Sequence, residues 1–215
     1  MAGIEDLVGE ALARPLPDLV RRDLELRPTP GLATVIAGMR RSGKTWRMFQ
    51  EMARLRTDGV EAGDMLYLDF DDARVAEMVG AASSPGTFLR DVLETYYRLR
   101  PGARTRRAHL FFDELQEVDG WARFARTVLD TEDVSLYVAG SSAKLLSSEI
   151  ATEFRGRSLR RELLPYSFGE YRRAVGQAPD SGSAADRSRR AARWTSSSAI
   201  RRGERRWTSS RCAPM

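Results

Sequence analysis

The chain has 215 residues, a formal net charge of +5, 42% hydrophobic residues and 30% charged residues, the balance of an ordinary globular protein with room for one domain, alone or with an appendage. It has no apolar run near the roughly 18–20 residues of a membrane span, and its start, MAGIEDLVGEALARPL, has neither a basic n-region nor an apolar h-region, so no membrane partner and no secretory signal are expected. Cys212 is the only cysteine and His109 the only histidine, which excludes an internal disulfide and a histidine-rich metal site and fits a reducing cytoplasm.

In chain order, residues 1–30 read as a helical lead-in and residues 31–180 as one α/β unit. Short β-branched and aromatic runs mark strands at 32–37 (LATVIA), 65–70 (MLYLDF), 108–112 (AHLFF) and 134–139 (VSLYVA), with a fifth near 159–164. Runs of this kind suit strands buried on both faces of a parallel sheet. Between them lie helical stripes. Met48, Met52 and Leu55 share one face. Phe88, Leu89, Val92, Leu93, Tyr96 and Tyr97 follow a Ser84-Pro85 start, and Trp121, Phe124, Ala125, Val128 and Leu129 follow Gly120. Strand–helix alternation predicts a three-layer sandwich with right-handed crossovers.

Residues 181–215 are different. They hold nine arginines, two acids and no Leu, Val, Phe or Tyr, a net of +7 that leaves −2 for the first 180 residues. Such a segment cannot bury enough apolar surface to offset its ordering entropy, which predicts disorder. RWTSS occurs in it twice, at 193–197 and 206–210. Three readings fit this composition: a basic arm for DNA, a solvated linker, and the product of a shifted reading frame.

Arginine is the default cation, with 33 copies against two lysines, Lys44 and Lys144. Lys44 lies in GMRRSGKT, residues 38–45, which fits G-x-x-x-x-G-K-[ST] between a strand and a helix. Glycines let main-chain N–H groups close on an anion, and the helix N-terminus adds its partial positive charge. A thin lysine can thread a loop that a guanidinium cannot. The reading is an ATP·Mg²⁺ site with Lys44 on the β- and γ-phosphates and Thr45 on the metal. Gly38, Arg40, Arg41, Ser42, Gly43, Lys44, Thr45 and Trp46 are the nucleotide-binding candidates. Trp46 is kept for its position, although packing in the core is the commoner use of tryptophan.

The run LFFDE at 110–114 ends a strand in two acids. Asp113 would hold Mg²⁺ opposite Thr45, and Glu114 would polarise the attacking water; ordinary helix-capping acids are the plainer reading. The strand ending YVAGSS offers Ser141 or Ser142 to the γ-phosphate if it lies between the loop strand and the DE strand. The same serines would also serve as helix caps. Arg155 and Arg157 follow in FRGR, suited either to a neighbouring subunit's nucleotide in a homo-oligomer or to the solvated surface.

Together GMRRSGKT, YLDFDDARV, HLFFDELQEVDGW and YVAGSSAKLLSSEIATEFRGRSLRRELLPYSFGEY resemble the prokaryotic AAA-superfamily ATP-binding proteins with an N-terminal ATPase domain and a C-terminal domain of unknown function. The resemblance covers about residues 15–175. It implies an ASCE-type P-loop fold with strand order 5-1-4-3-2 and ATP hydrolysis. It matches Gly43, Lys44 and Thr45 to Walker A, Asp113 and Glu114 to Walker B, Ser141 or Ser142 to sensor 1, and Arg155 and Arg157 to an arginine pair. Asp71, Asp72 and Arg74 match a polar turn to which it assigns no role. It stops after YSFGEY, which reads as truncation or a frame shift and implies that Leu163, Leu164, Tyr166 and Phe168 are uncovered and that any DNA contact of the missing domain is lost. No Asn/Thr-Lys-x-Asp motif supports a GTPase, and the DE pair favours hydrolysis over small-molecule kinase chemistry. A nucleotide switch, a DNA-binding module with little turnover and an inactive fragment are the rival readings.

Overall fold

The computed structural model describes residues 3–141, 154 and 156–177, with the Ser141 side chain excluded. Expectations for Ser142, Arg155 and the segment 181–215, including its disorder and its DNA contacts, lie outside the described residues.

Five strands form one parallel sheet: β1 Ala33–Gly38, β2 Met65–Asp69, β3 Ala108–Asp113, β4 Val134–Ser141 and β5 Ser158–Glu162. Their order is β2-β3-β4-β1-β5, the expected 5-1-4-3-2 read from the other edge. β4 therefore does lie between the loop strand and the DE strand. β1 to β4 are almost wholly buried because layers cover both faces of the sheet. β5 is a charged edge, with Arg160, Arg161 and Glu162 discouraging further pairing.

Side chains alternate along each strand, so one sheet feeds two cores. Val35, Leu66, Leu68, Leu110, Phe112, Leu136 and Val138 face one layer. That layer holds α1 Ile4–Ala13, α3 Ala73–Ala81, α4 Pro85–Leu99 and α6 Trp121–Thr131. Ile36, Tyr67, Phe111, Tyr137 and Ala139 face the other, against Met48, Phe49 and Leu55 of α2, Lys44–Thr57. On that side Phe111 and Tyr137 stack with centroids 4.4 Å apart.

The local starts and stops are legible. Ser84 caps α4 by accepting from the Thr87 N–H, with Pro85 at the first helical position. Asp72 caps α3 by accepting from the Arg74 N–H, and Arg74 pairs with Glu10 of α1 at 3.1 Å. The polar turn at 71–74 thus has a structural use. The lead-in is only partly helical: α1 ends at Ala13, and the chain then runs to β1 without helix, placing Leu16, Leu19, Leu24 and Leu26 against the α2 core. Four prolines, at 15, 17, 28 and 30, interrupt helical hydrogen bonding there. Short α5, Pro101–Thr105, and α7, Phe168–Ala174, complete the described helices.

α2 carries the phosphate loop at its N-terminus, and buried charge anchors its middle. Glu51 is fully buried and accepts from Arg47 Nη2 at 3.0 Å and from Arg54 Nε and Nη2 at 3.0 and 2.7 Å, while Arg47 Nε donates to the Leu24 carbonyl at 2.7 Å. Removing one member of a buried pair strands the other charge. We expect Glu51→Ala to lose about 3–5 kcal/mol in urea unfolding. The double change Arg47→Met with Glu51→Leu should lose clearly less, and a double variant as unstable as the single one would contradict this account.

Candidate functional site

The site lies where β1, β4, β3 and β2 end together. Register pairs Gly38 with Ser141, Ala139 with Asp113, and Asp113 with Asp69. Parallel pairing therefore delivers the loop, the Ser141 backbone and the two acids to one edge of the sheet, where α/β sheets bind ligands.

Backbone geometry shapes the loop. Gly38 must be glycine, because a Cβ there would sit 2.5 Å from the Leu163 carbonyl oxygen and 2.7 Å from Ser42 Oγ. Arg41 and Gly43 have φ of 64° and 91°. These left-handed residues bracket Ser42, an alternation that turns successive N–H groups toward a common side. The Ser42 N–H donates to the Met39 carbonyl at 3.2 Å, closing the turn. Lys44 is buried, with Nζ 3.2 Å from the Met39 carbonyl oxygen and 3.4 Å from that of Gly38, so its ammonium lies over the loop. Ser42 Oγ is buried without a protein partner.

Thr45, on the first turn of α2, donates from Oγ1 to Asp113 Oδ2 at 2.5 Å. Tyr67 OH donates to the same oxygen at 3.4 Å. Burial pushes the Asp113 carboxyl up to about 6; the nearby Asp69 and Glu114 push the same way, against the Thr45 hydrogen bond and the Lys44 charge. Asp69 is also raised, chiefly by burial. Glu114 continues the ladder by one bond, its N–H donating to the Ala139 carbonyl at 2.8 Å. It then turns the chain out of the sheet with φ 50°, a left-handed conformation that only a few per cent of non-glycine residues adopt. Its carboxylate accepts from Gln116 Nε2. Outliers of this kind gather at functional sites.

The residues present fit a nucleoside triphosphate with Mg²⁺. Glycine-only positions, convergent N–H groups, a buried unpartnered hydroxyl and a lysine suit polyphosphate, and a hydroxyl touching a buried carboxylate is an oxygen donor pair for a hard cation.

The other candidates are more exposed or more distant. Arg40 and Arg41 are exposed on the loop. Trp46 is 50% exposed and its ring meets the edge of Phe49 with centroids 6.3 Å apart, so full core packing is not its use; its place on the outer side of the first α2 turn turns it toward solvent. Arg157 precedes β5, where its carbonyl accepts from the Ala33 N–H and its guanidinium pairs with Asp130. That is the opposite end of the strands, six ladder steps or roughly 20 Å from Gly38. Phe154 is buried against Trp121. Of the apolar residues expected to be uncovered, Leu164, Tyr166 and Phe168 are exposed. Leu163 is not: its N–H continues β5 onto the Ala37 carbonyl at 2.7 Å, and its side chain packs in the core on the α2 face.

Three residues that motif reading passes over hold the loop from behind: Arg22, Gln50 and Glu170. Arg22 is 4% exposed and donates from Nη1 to the Ser42 carbonyl at 2.7 Å, from Nη2 to the Leu164 carbonyl at 2.6 Å and from Nε to Glu170 at 3.0 Å. Gln50 brackets the Arg22 backbone, accepting from its N–H at 2.8 Å and donating to its carbonyl at 3.0 Å. Burial pushes the Glu170 carboxyl up, but the N–H groups of Asp23 and Ser167 and the Arg22 guanidinium together hold it down at about 2. Among 33 arginines, nothing in sequence marks Arg22. The spacing of Ser167 and Glu170 is a capping box and was open to reading.

Comparison with known proteins agrees with this geometry. A family model described as an AAA domain matches residues 31–172. An uncharacterized protein of Methanocaldococcus jannaschii is 35% identical over 153 residues, 71% of this chain and 31% of its own length. An uncharacterized protein of Haemophilus influenzae is 29% identical over 137 residues, 64% of this chain and 32% of its own. The chain spans about a third of the length of these curated relatives. With the matched region running from the strand before the phosphate loop to α7, this chain belongs to the AAA domain family of nucleotide-binding P-loop proteins.

Proposed function

We propose that this domain binds ATP with Mg²⁺ and hydrolyses it. The observation that carries the reading is the contact between Thr45 and Asp113 at the mouth of the phosphate loop, with Glu114 following on a left-handed turn. Lys44 and the N–H groups around Gly43 would bind the phosphates, and Thr45 and Asp113 would hold the metal. Magnesium, when bound, offsets phosphate charge and aligns the terminal phosphate. Glu114 would orient a water and take its proton as the water oxygen bonds to the terminal phosphorus and the bridging bond to ADP breaks. Ser141, at the end of β4 beside Gly38, would meet the terminal phosphate.

Arg157 at the far end of the strands favours a second, conditional reading. Within one chain it cannot reach the loop, so with Arg155 it would act on a neighbouring copy's nucleotide, and a lone chain would behave as a nucleotide-loaded switch with slow turnover. Specific activity should then rise with protein concentration and fall at least tenfold in Arg157→Ala. Activity independent of concentration and of Arg157 would remove the oligomer from the scheme.

The central test is steady-state ATP hydrolysis. Glu114→Gln should lower turnover by 10²-fold or more while keeping ATP affinity, and Lys44→Ala should lose both. Unchanged turnover in Glu114→Gln would refute the assignment of the base.

Asp113 gives a pH test. Its carboxyl is raised from 3.8 to about 6, so the native state keeps a proton that the unfolded chain releases. Its contribution to stability is whole below pH 4 and is lost as pH rises through 6, by at most about 3 kcal/mol. Asp113→Asn should therefore melt a few degrees higher than the parent at pH 7.5 without nucleotide, lose this slope between pH 4 and 6, and lose Mg²⁺-dependent hydrolysis. A lower melting temperature at pH 7.5 would show that the carboxylate is not a destabilising charge.

A further inference from the structure

We infer that Arg22 is a positioning residue of the phosphate loop, and that it couples nucleotide binding at the loop to the seating of residues 164–174. The inference rests on the nucleotide-binding reading above and adds to it a residue and a regulatory route.

The argument starts from one peptide plane. The Ser42 carbonyl and the Gly43 N–H belong to the same trans peptide and point in opposite directions. Arg22 Nη1 holds that carbonyl at 2.7 Å from behind the loop, which turns the Gly43 N–H to the opposite, phosphate side. A cationic donor on the carbonyl also polarises the peptide and strengthens its N–H as a donor. Arg22 thus acts on a phosphate through the main chain without touching it. A Cβ on Gly43 would lie 3.1 Å from Arg22 Nη1, so the contact leaves little slack.

The same guanidinium is committed elsewhere. Its Nη2 donates to Leu164 O and its Nε to Glu170, and its face lies 4.6 Å from the Tyr166 ring centroid. Glu170 Oε1 also accepts from the Asp23 N–H at 2.7 Å, and Arg173 Nη2 pairs with Asp23 at 2.6 Å. The loop peptide and α7 therefore share one rigid fork. If α7 shifts, the guanidinium follows or loses Glu170, and the Ser42 carbonyl is released. By reciprocity, a phosphate that fixes the Gly43 N–H favours the seated α7. Lysine cannot replace a fork that donates in three directions.

The test uses the full chain and ATP, with affinity measured by calorimetry well below the melting temperature, beside amide hydrogen exchange. In the parent, ATP should slow exchange in residues 164–174 as well as in 38–45. Arg22→Gln and Arg22→Lys should each weaken ATP by about tenfold or more, and Glu170→Gln should weaken it several-fold despite lying outside the loop. Parent exchange in 164–174 that ignores ATP, or Arg22→Lys and Glu170→Gln affinities within twofold of the parent, would overturn the inference and leave the nucleotide site standing. A parent that binds no ATP would defeat the nucleotide reading and this inference together. Should the Arg22 variants not fold, the exchange result on the parent and the Glu170→Gln affinity decide alone.

Discussion

The hydrogen bond from Thr45 to Asp113 joins residues 68 positions apart, and much of the fold serves to make it short. Thr45 is fixed because α2 begins at Lys44, where left-handed Gly43 ends the loop. Asp113 is fixed because β3 stays in register with β4, which stays in register with β1. A slip of one residue in either ladder would turn the carboxylate to the other face. Phe111 stacked on Tyr137 and Phe112 packed against Phe70 and Phe124 make that slip costly, since each aromatic would lose its core. The hydrophobic pattern of β3 thus sets the geometry of the candidate site as well as stability.

The loop itself has no hydrophobic support of that kind. It is main chain, with exposed Met39, Arg40 and Arg41 at its tip, and it is fastened from behind by polar groups: Arg22 on the Ser42 carbonyl, Gln50 on the backbone of Arg22, and Glu51 beneath Arg47. Burying such groups costs several kcal/mol of desolvation per ion, which well-placed partners offset. Here Glu170 has three donors and Glu51 two arginines. Polar anchoring gives direction, which a phosphate-binding loop needs more than contact area, because N–H groups must point as well as stay put.

The parts of this site that chemistry restricts to few residue types were legible in sequence. Glycine at 38 and 43, lysine at 44 and adjacent acids after an apolar run each answer a steric or electrostatic demand that few side chains meet, and the strand runs are buried on both faces, so the sheet could be read with its order implied by the resemblance. The exposure of Trp46 was not legible, because an aromatic side chain does not reveal which side of a helix's first turn is wet. The lead-in was over-read as helical where prolines and tertiary contacts with α2 decide. The pairing of Arg22 with Glu170 was invisible because it spans 148 positions, and an arginine in an arginine-rich chain carries no signal by type. Leu163 looked uncovered only because its backbone bond to Ala37 belongs to three-dimensional pairing.

α7 has an inverted polarity that bears on how firmly it sits. Its buried residue is charged, Glu170, while Phe168 is 77% exposed and Tyr171 53%, with Leu164 and Tyr166 exposed just before it. Apolar burial therefore contributes little to holding this helix on the domain. Its seven residues are also too few for helical propensity to supply stability of its own. The polar contacts that hold it include the capping box at Ser167, the ion pairs to Arg22 and Asp23, and the Asp23 N–H on Glu170. The Arg173–Asp23 pair is partly exposed, so salt screens it and it adds little. The seating of α7 thus concentrates in one buried contact, Glu170 with Arg22, whose guanidinium also holds the phosphate loop. A helix whose buried anchor is one charged pair can be released or locked by a change at that pair, and in this chain the pair's guanidinium holds the peptide that carries the Gly43 N–H.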